Sequence, residues 1–335
     1  MLRALWIVAL VPFITVSCST PSPTATLDAA ALASKHAMTK AEFEKLRKEM
    51  SNWGRWGPDD EMGTLNFITP GKRIEAARLV TEGHSVSLSA NVVKTPLQGS
   101  KPFRQTVTVD SGGAADEYCV YYHGLSITHI DALCHRFNSD GKMYNNIPMS
   151  EVTVESGGKK CSIIGLKQGL FTRAILMDIP ELLGVEYLPG DRPIYPDDLD
   201  AWERRSGVRV GKGDAVLIRT GTWARRQAEG EWEVSSGSAG LHVSCMPWIR
   251  EREAAIVGSD MALDVFPSHV EGYAEGLPCH DIVLVDFGMH ILDNLDLEAI
   301  SDAAKERQRW AFLLVVAPLA VEGGTGSPIN PLGTF

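Results

Sequence analysis

The sequence has no lysine- or arginine-rich block, no C-x-x-C pair, no internal repeat and, past residue 39, no stretch of linker composition. With 32 basic against 42 acidic residues the formal charge is −10, so the electrostatic footprint of a nucleic-acid partner is missing. Cysteine is sparse. Beyond Cys18 there are Cys119, Cys134, Cys161, Cys245 and Cys279, an odd number in apolar or motif-embedded settings, which favours free buried thiols over a disulfide framework. Cys134 adjoins His135, but a nucleophile needs a separate orienting partner and none is in view. What is present is ordinary globular composition, 44% hydrophobic and 22% charged over 335 residues. Strands and helices alternate along it, which predicts an α/β domain with a mixed sheet.

Residues 1–20 read as an export signal: Arg3, an apolar run from Ala4 to Val16 too short to span a bilayer, then Ser17-Cys18-Ser19. Thr15-Val16-Ser17-Cys18 resembles a bacterial lipoprotein cleavage box, which would make Cys18 the lipid-bearing residue of a periplasmic or membrane-anchored protein. Residues 21–38, rich in Ser, Thr, Pro and Ala, read as a flexible linker, and 39–335 as one catalytic domain. Within it the patterns predict helices over 39–50, capped by Thr39, and over 70–82, 196–205 and 246–253. Strands are expected over 85–93, 174–179, 214–221 and 255–260.

Chemistry concentrates in His123-Gly-Leu-Ser-Ile-Thr-His129-Ile-Asp131-Ala-Leu-Cys-His135. If residues 121–131 are extended, His123, Leu125, Ile127, His129 and Asp131 share one face. If a helix follows, Asp131 and His135 sit four apart on its first turn. Both readings aim His129, Asp131 and His135 into one pocket. Desolvating these groups is costly without compensation, and imidazole nitrogen with carboxylate oxygen suits Zn²⁺ or Mn²⁺. A second constellation is Pro278-Cys-His280 to Gly288-Met-His-Ile-Leu-Asp293, whose pattern predicts a helical segment, a glycine stop and a short strand. That unit can return His280 and Asp293 to one site. Trp53 and Trp56 lie in a loop rich in glycine and proline, where they either wall an aromatic substrate or pack on the core. His242 and Asp260 are pocket candidates with a cap or turn contact as the alternative, and His36, His84 and His269 are expected at the surface.

Taken together, the two constellations resemble the cyclase family of metal-dependent hydrolases, which includes bacterial kynurenine formamidase and isatin hydrolase. The family hallmark is H-x-G-T-H-x-D-x-P-x-H, and Thr128-His129-Ile-Asp131-Ala-Leu-Cys-His135 matches its second half with Leu133 at the proline. A long bacterial branch is closer still, through Trp53-Gly-Arg-Trp56-Gly-Pro-Asp-Asp-Glu-Met-Gly-Thr-Leu-Asn66, Ile218-Arg-Thr-Gly-Thr-Trp223, Gly258-Ser-Asp260 and Gly323-Gly-Thr-Gly-Ser-Pro-Ile-Asn330-Pro. The resemblance spans residues 40–335. It implies a swivelling β/β/α fold, homo-oligomers and one or two metal ions. It also implies His129 and Asp131 as ligands with Asp131 bridging, His280 and Asp293 as ligands of a second ion, and His135 as the proton-transfer residue. The implied reaction is hydrolysis of a small amide, an N-formyl aromatic amine or a cyclic amide. A lyase or ring-forming reaction at the same site is the first alternative. The second, an exported binding protein without turnover, is favoured by Leu125, which occupies the position of the first metal-binding His. His123 lies about 7 Å further along an extended strand and reaches the site only if the backbone bulges. Asp293 replaces the usual Glu and is one methylene shorter.

Overall fold

Four strands, Leu170–Asp178, Ala215–Arg219, Ile256–Ser259 and His290–Asp293, lie parallel and side by side in a computed structural model that describes residues 28–92, 94 and 101–335. Nearly every residue in them is buried, as expected of strands covered on both faces. Antiparallel strands extend this centre on each side into a nine-stranded mixed sheet. The spatial order is Gly326–Pro328, His129–Asp131, His290–Asp293, Ile256–Ser259, Ala215–Arg219, Leu170–Asp178, Ala311–Val316, Leu332–Thr334, Ser85–Ser87. The mixed α/β prediction holds. Among the described residues no helix is long and apolar enough to cross a membrane.

The register of this sheet creates the site. His129 pairs with Asp293 on one side and with Pro328 on the other, while Asp131 pairs with Ile291 and Gly326. Two motifs about 160 residues apart in sequence are thereby brought side by side on neighbouring strands. The helical segment expected after His280 exists, as a turn at Pro278–His280 followed by a wide π-helix at Asp281–Phe287. Gly288 ends it at φ 66°, where a Cβ would also lie 2.3 Å from the Tyr144 ring, so this stop admits only glycine.

Several elements differ from expectation. The helix after Thr39 is Lys40–Met50 with a reciprocal Thr39–Glu42 capping box, but the next helix stops at Ala77 and the strand at Ser85 covers three residues. Part of the stretch taken as flexible linker is ordered: Ala29–Lys35 is a helix capped by Asp28, with Leu32 buried and Lys35 and His36 both on Asp197. His36 is therefore half-buried, not a surface residue. The export signal, Cys18 and residues 21–27 lie outside the described residues. A ribbon of Arg104–Asp110 paired with Gly113–Cys119, exposed along its whole length, had no signal in the periodicity.

Candidate metal centre

His129 is 3% exposed, and its Nδ1 donates to the Ile127 carbonyl at 2.8 Å. That bond fixes the tautomer and leaves the Nε2 lone pair 3.4 Å from Asp131 Oδ1. Asp131 is 1% exposed. His135 closes a single 3-10 turn, Leu133–His135, in place of the expected α-helix, with its Nε2 3.9 Å from Asp131 Oδ2. Burial works against an Asp131 carboxylate, but His123, His129 and His135 outweigh it and hold its pKa well below the usual range. Burial pushes the His135 imidazole down to about 4, so it is neutral at pH 7 and able to accept a proton.

The segment before His129 is not the extended strand that would keep His123 at a distance. Only His129–Asp131 is strand. Asn294, next to Asp293, donates to the carbonyls of Gly124 and Ile127, Arg226 donates to that of Leu125, and the Tyr122 hydroxyl donates to the Gly326 carbonyl. These inward ties bend the chain. His123 Nδ1 thereby comes to 3.0 Å from Asp131 Oδ1, while its Nε2 meets the Thr325 hydroxyl at 3.0 Å. Its ring stacks on His135 with centroids 3.9 Å apart at 9° and stands edge-on to His129. The bend thus sets the His123 imidazole, two residues before Leu125, beside Asp131 and His129.

At the end of the turn Pro278–His280, His280 has Asp264 at one ring nitrogen and Asp293 at the other, at 2.5 and 3.2 Å. Burial again opposes charge, but Asp293 and Asp264 prevail and hold the His280 pKa well above its ordinary value. Among the described residues two groups emerge, His123–His129–Asp131 and Asp131–His280–Asp293, each with ligand atoms within 4.8 Å of one another. Asp131 belongs to both. His123 Nδ1, Asp131 Oδ1 and Asp293 Oδ1 are buried without a hydrogen-bond partner, although the first two are only 3.0 Å apart. A cation held between them would satisfy all three atoms. Buried, unsatisfied donors of this kind are expensive unless something fills the space between them. The N/O donor set fits one divalent cation or two bridged by Asp131.

Other candidates fall elsewhere. Trp53 donates its Nε1 to the Val285 carbonyl at 2.7 Å, and Trp56 packs edge-on against Phe67 with the Arg55 guanidinium over it. Both fasten their loop to the core, and neither belongs to the His/Asp cluster. A π-helical turn leaves a carbonyl such as that of Val285 in need of a donor, which accounts for the position of Trp53. His242 lines a separate cavity with His36, Tyr195 and His269, its Nδ1 against the Ser244 hydroxyl. Asp260 accepts the backbone N–H groups of Thr220, Gly221 and Thr222, the turn contact foreseen as its alternative role. Spacing did not single out Asp264 or Thr325. Thr325 stood inside the Gly323–Asn330 signature, which was a usable signal; Asp264 had none.

The Cyclase family's sequence profile matches residues 71–264. Isatin hydrolase of Roseibium aggregatum is 27% identical over 143 residues, which cover 41% of this chain and 50% of that protein. The chain thus spans about half the length of this curated relative. A crystal structure of a novel cyclase superposes with a TM-score of 0.77 at 27% identity, covering 85% of this chain and 99% of the other. Isatin hydrolase A from Labrenzia aggregata superposes with a TM-score of 0.55 at 19% identity, over 75% of this chain and 93% of its own, a likeness of fold alone.

Proposed function

The chain belongs to the cyclase family, and from that premise we propose that it is a metal-dependent hydrolase of a small amide, an N-formyl aromatic amine or a cyclic amide. The observation that carries the reading is the pair of buried His/Asp groups sharing Asp131, with unpartnered donor atoms in both. His123, His129 and Asp131 would hold one Zn²⁺ or Mn²⁺, and Asp131, His280 and Asp293 a second. When bound, such a cation supplies Lewis acidity towards a carbonyl and acidifies water from a pKa of about 15.7 towards about 7.

The chain's own contribution is orientation and proton transfer. The hydrogen bond to the Ile127 carbonyl keeps His129 Nε2 free to donate. His135, its side chain 29% exposed, lies at the open side of the cluster, its ring face held by the His123 stack. Neutral at pH 7, it can take a proton from the attacking water and return it to the leaving nitrogen, the service an amide needs because an amine anion leaves poorly. The bend that carries His123 to Asp131 supports a complete donor set despite Leu125, so the observation that favoured a binding protein without turnover loses its force. The test is a panel of formamides, lactams and isatin-like compounds offered to protein reconstituted with Zn²⁺ or Mn²⁺. Turnover of at least one class, abolished by chelation, is expected. Metal-loaded protein that turns over none of them would overturn the hydrolase assignment.

A further inference from the structure

His280 has a carboxylate at each ring nitrogen, but only Asp293 belongs to the ligand cluster. Asp264 lies on the opposite side, 2% exposed, and is fully engaged by donors. Its Oδ1 accepts the Cys279 backbone N–H at 2.6 Å; its Oδ2 accepts the His280 backbone N–H at 3.1 Å and faces His280 Nδ1 at 2.5 Å. Both oxygens already serve as acceptors, because a backbone N–H can only donate. Nδ1 must therefore carry the hydrogen, and Nε2 is turned towards Asp293 and the shared space beyond it. The backbone of Asp264 is itself clamped. The Leu241 N–H donates to the Leu263 carbonyl at 2.9 Å and the Val265 N–H to the Leu241 carbonyl at 3.1 Å. Gly240 approaches so closely that a Cβ there would lie 2.4 Å from the Asp264 carbonyl carbon.

Resting on the metal reading above, we propose that Asp264 is the positioning residue of the Asp131–His280–Asp293 centre, fixing the His280 tautomer and ring so that Nε2 is the donor to the cation. Histidine ligands are commonly held this way by an outer carboxylate, and losing that partner typically weakens metal binding about 10- to 100-fold. The rival role is structural: Asp264 also caps the turn at Pro278–His280. Comparing metal affinity with melting in Asp264→Ser separates the two, because a lost cap lowers the melting temperature of the metal-free form whereas a lost ring contact weakens Zn²⁺ binding.

The experiment titrates metal-free full-length protein with Zn²⁺ by calorimetry, for the wild type, Asp264→Ser and His280→Ala, with thermal melting of each metal-free form. In parallel, ¹⁵N-histidine NMR of the Zn²⁺-loaded wild type reads the His280 ring, assigned by its loss in His280→Ala. The expected result is one Zn²⁺ site weakened about 10- to 100-fold in Asp264→Ser, the other site retained, melting close to wild type, and a proton on His280 Nδ1. Wild-type affinity at both sites in Asp264→Ser, or a bare or metal-bound Nδ1 in the loaded wild type, overturns the proposal. If Asp264→Ser does not fold, the NMR result on the wild type decides alone. If His280→Ala binds both ions normally, the second centre itself is wrong, which is a failure of the metal reading and not of the role given to Asp264.

Discussion

Acid should unfold this protein through two buried imidazoles that lie outside the ligand cluster. His290, on the strand that ends at Asp293, is 1% exposed, and its Nδ1 has no hydrogen-bond partner; burial pushes its pKa down to about 4. His242 is likewise 1% exposed, and burial, then the nearby His269 and His36, push it down to about 4. Unfolded, each returns to about 6.5. Because the folded value is the lower one, the unfolded chain binds the additional proton between pH 6.5 and 4, so stability rises with pH across that window. The contribution is fully present above pH 6.5 and is lost as pH falls towards 4. At pH 5 a shift of this size costs about 2 kcal/mol per imidazole relative to pH 7.5. Urea denaturation of chelated protein at pH 7.5 and 5 measures it, in wild type, His242→Leu and His290→Leu. Each substitution should shrink the stability difference between the two pH values by about 2 kcal/mol, whatever it does to stability at either one. An undiminished difference in both variants would mean that these imidazoles accept protons in the folded state and would refute the reasoning.

His135→Asn should keep its fold and most of its metal while losing about 10²- to 10⁴-fold in turnover; metal lost in proportion to activity would make His135 a ligand instead. Trp53→Phe removes the donor to the Val285 carbonyl and should cost about 1 kcal/mol in denaturation experiments with KM unchanged, whereas a large rise in KM would restore Trp53 to the substrate pocket. For location, we propose an exported protein anchored through lipidated Cys18. Cys18→Ala should then move it from the membrane to the soluble envelope fraction, and equal membrane retention of the variant would rule the lipid out.

The central sheet was legible because parallel strands buried on both faces are written as unbroken apolar runs, as in Ala215–Arg219 and Ile256–Ser259. The turn at Gly288 was legible for a local reason, since a helix end at positive φ demands glycine. The bend at residues 122–128 was not, because nothing local imposes it: its carbonyls are tied by Asn294 and Arg226, which are remote in sequence. Period-two alternation from His123 to Asp131 read as a strand, although only the last three residues pair with neighbouring strands. The Trp53–Trp56 loop misled in the opposite direction, because aromatic content suggests a ligand and core packing equally. Asp264 stayed invisible since a lone Asp carries no spacing signal, and its importance comes only from what the fold sets beside it.

The central claim is that Asp131 is shared by two cation sites, and elemental analysis of dialysed protein tests it most directly. Wild type should retain Zn²⁺ or Mn²⁺ in stoichiometric amount, His129→Ala should lose the ion of its own group, and Asp131→Ala should retain none while still folding. Full metal occupancy in Asp131→Ala would contradict the account.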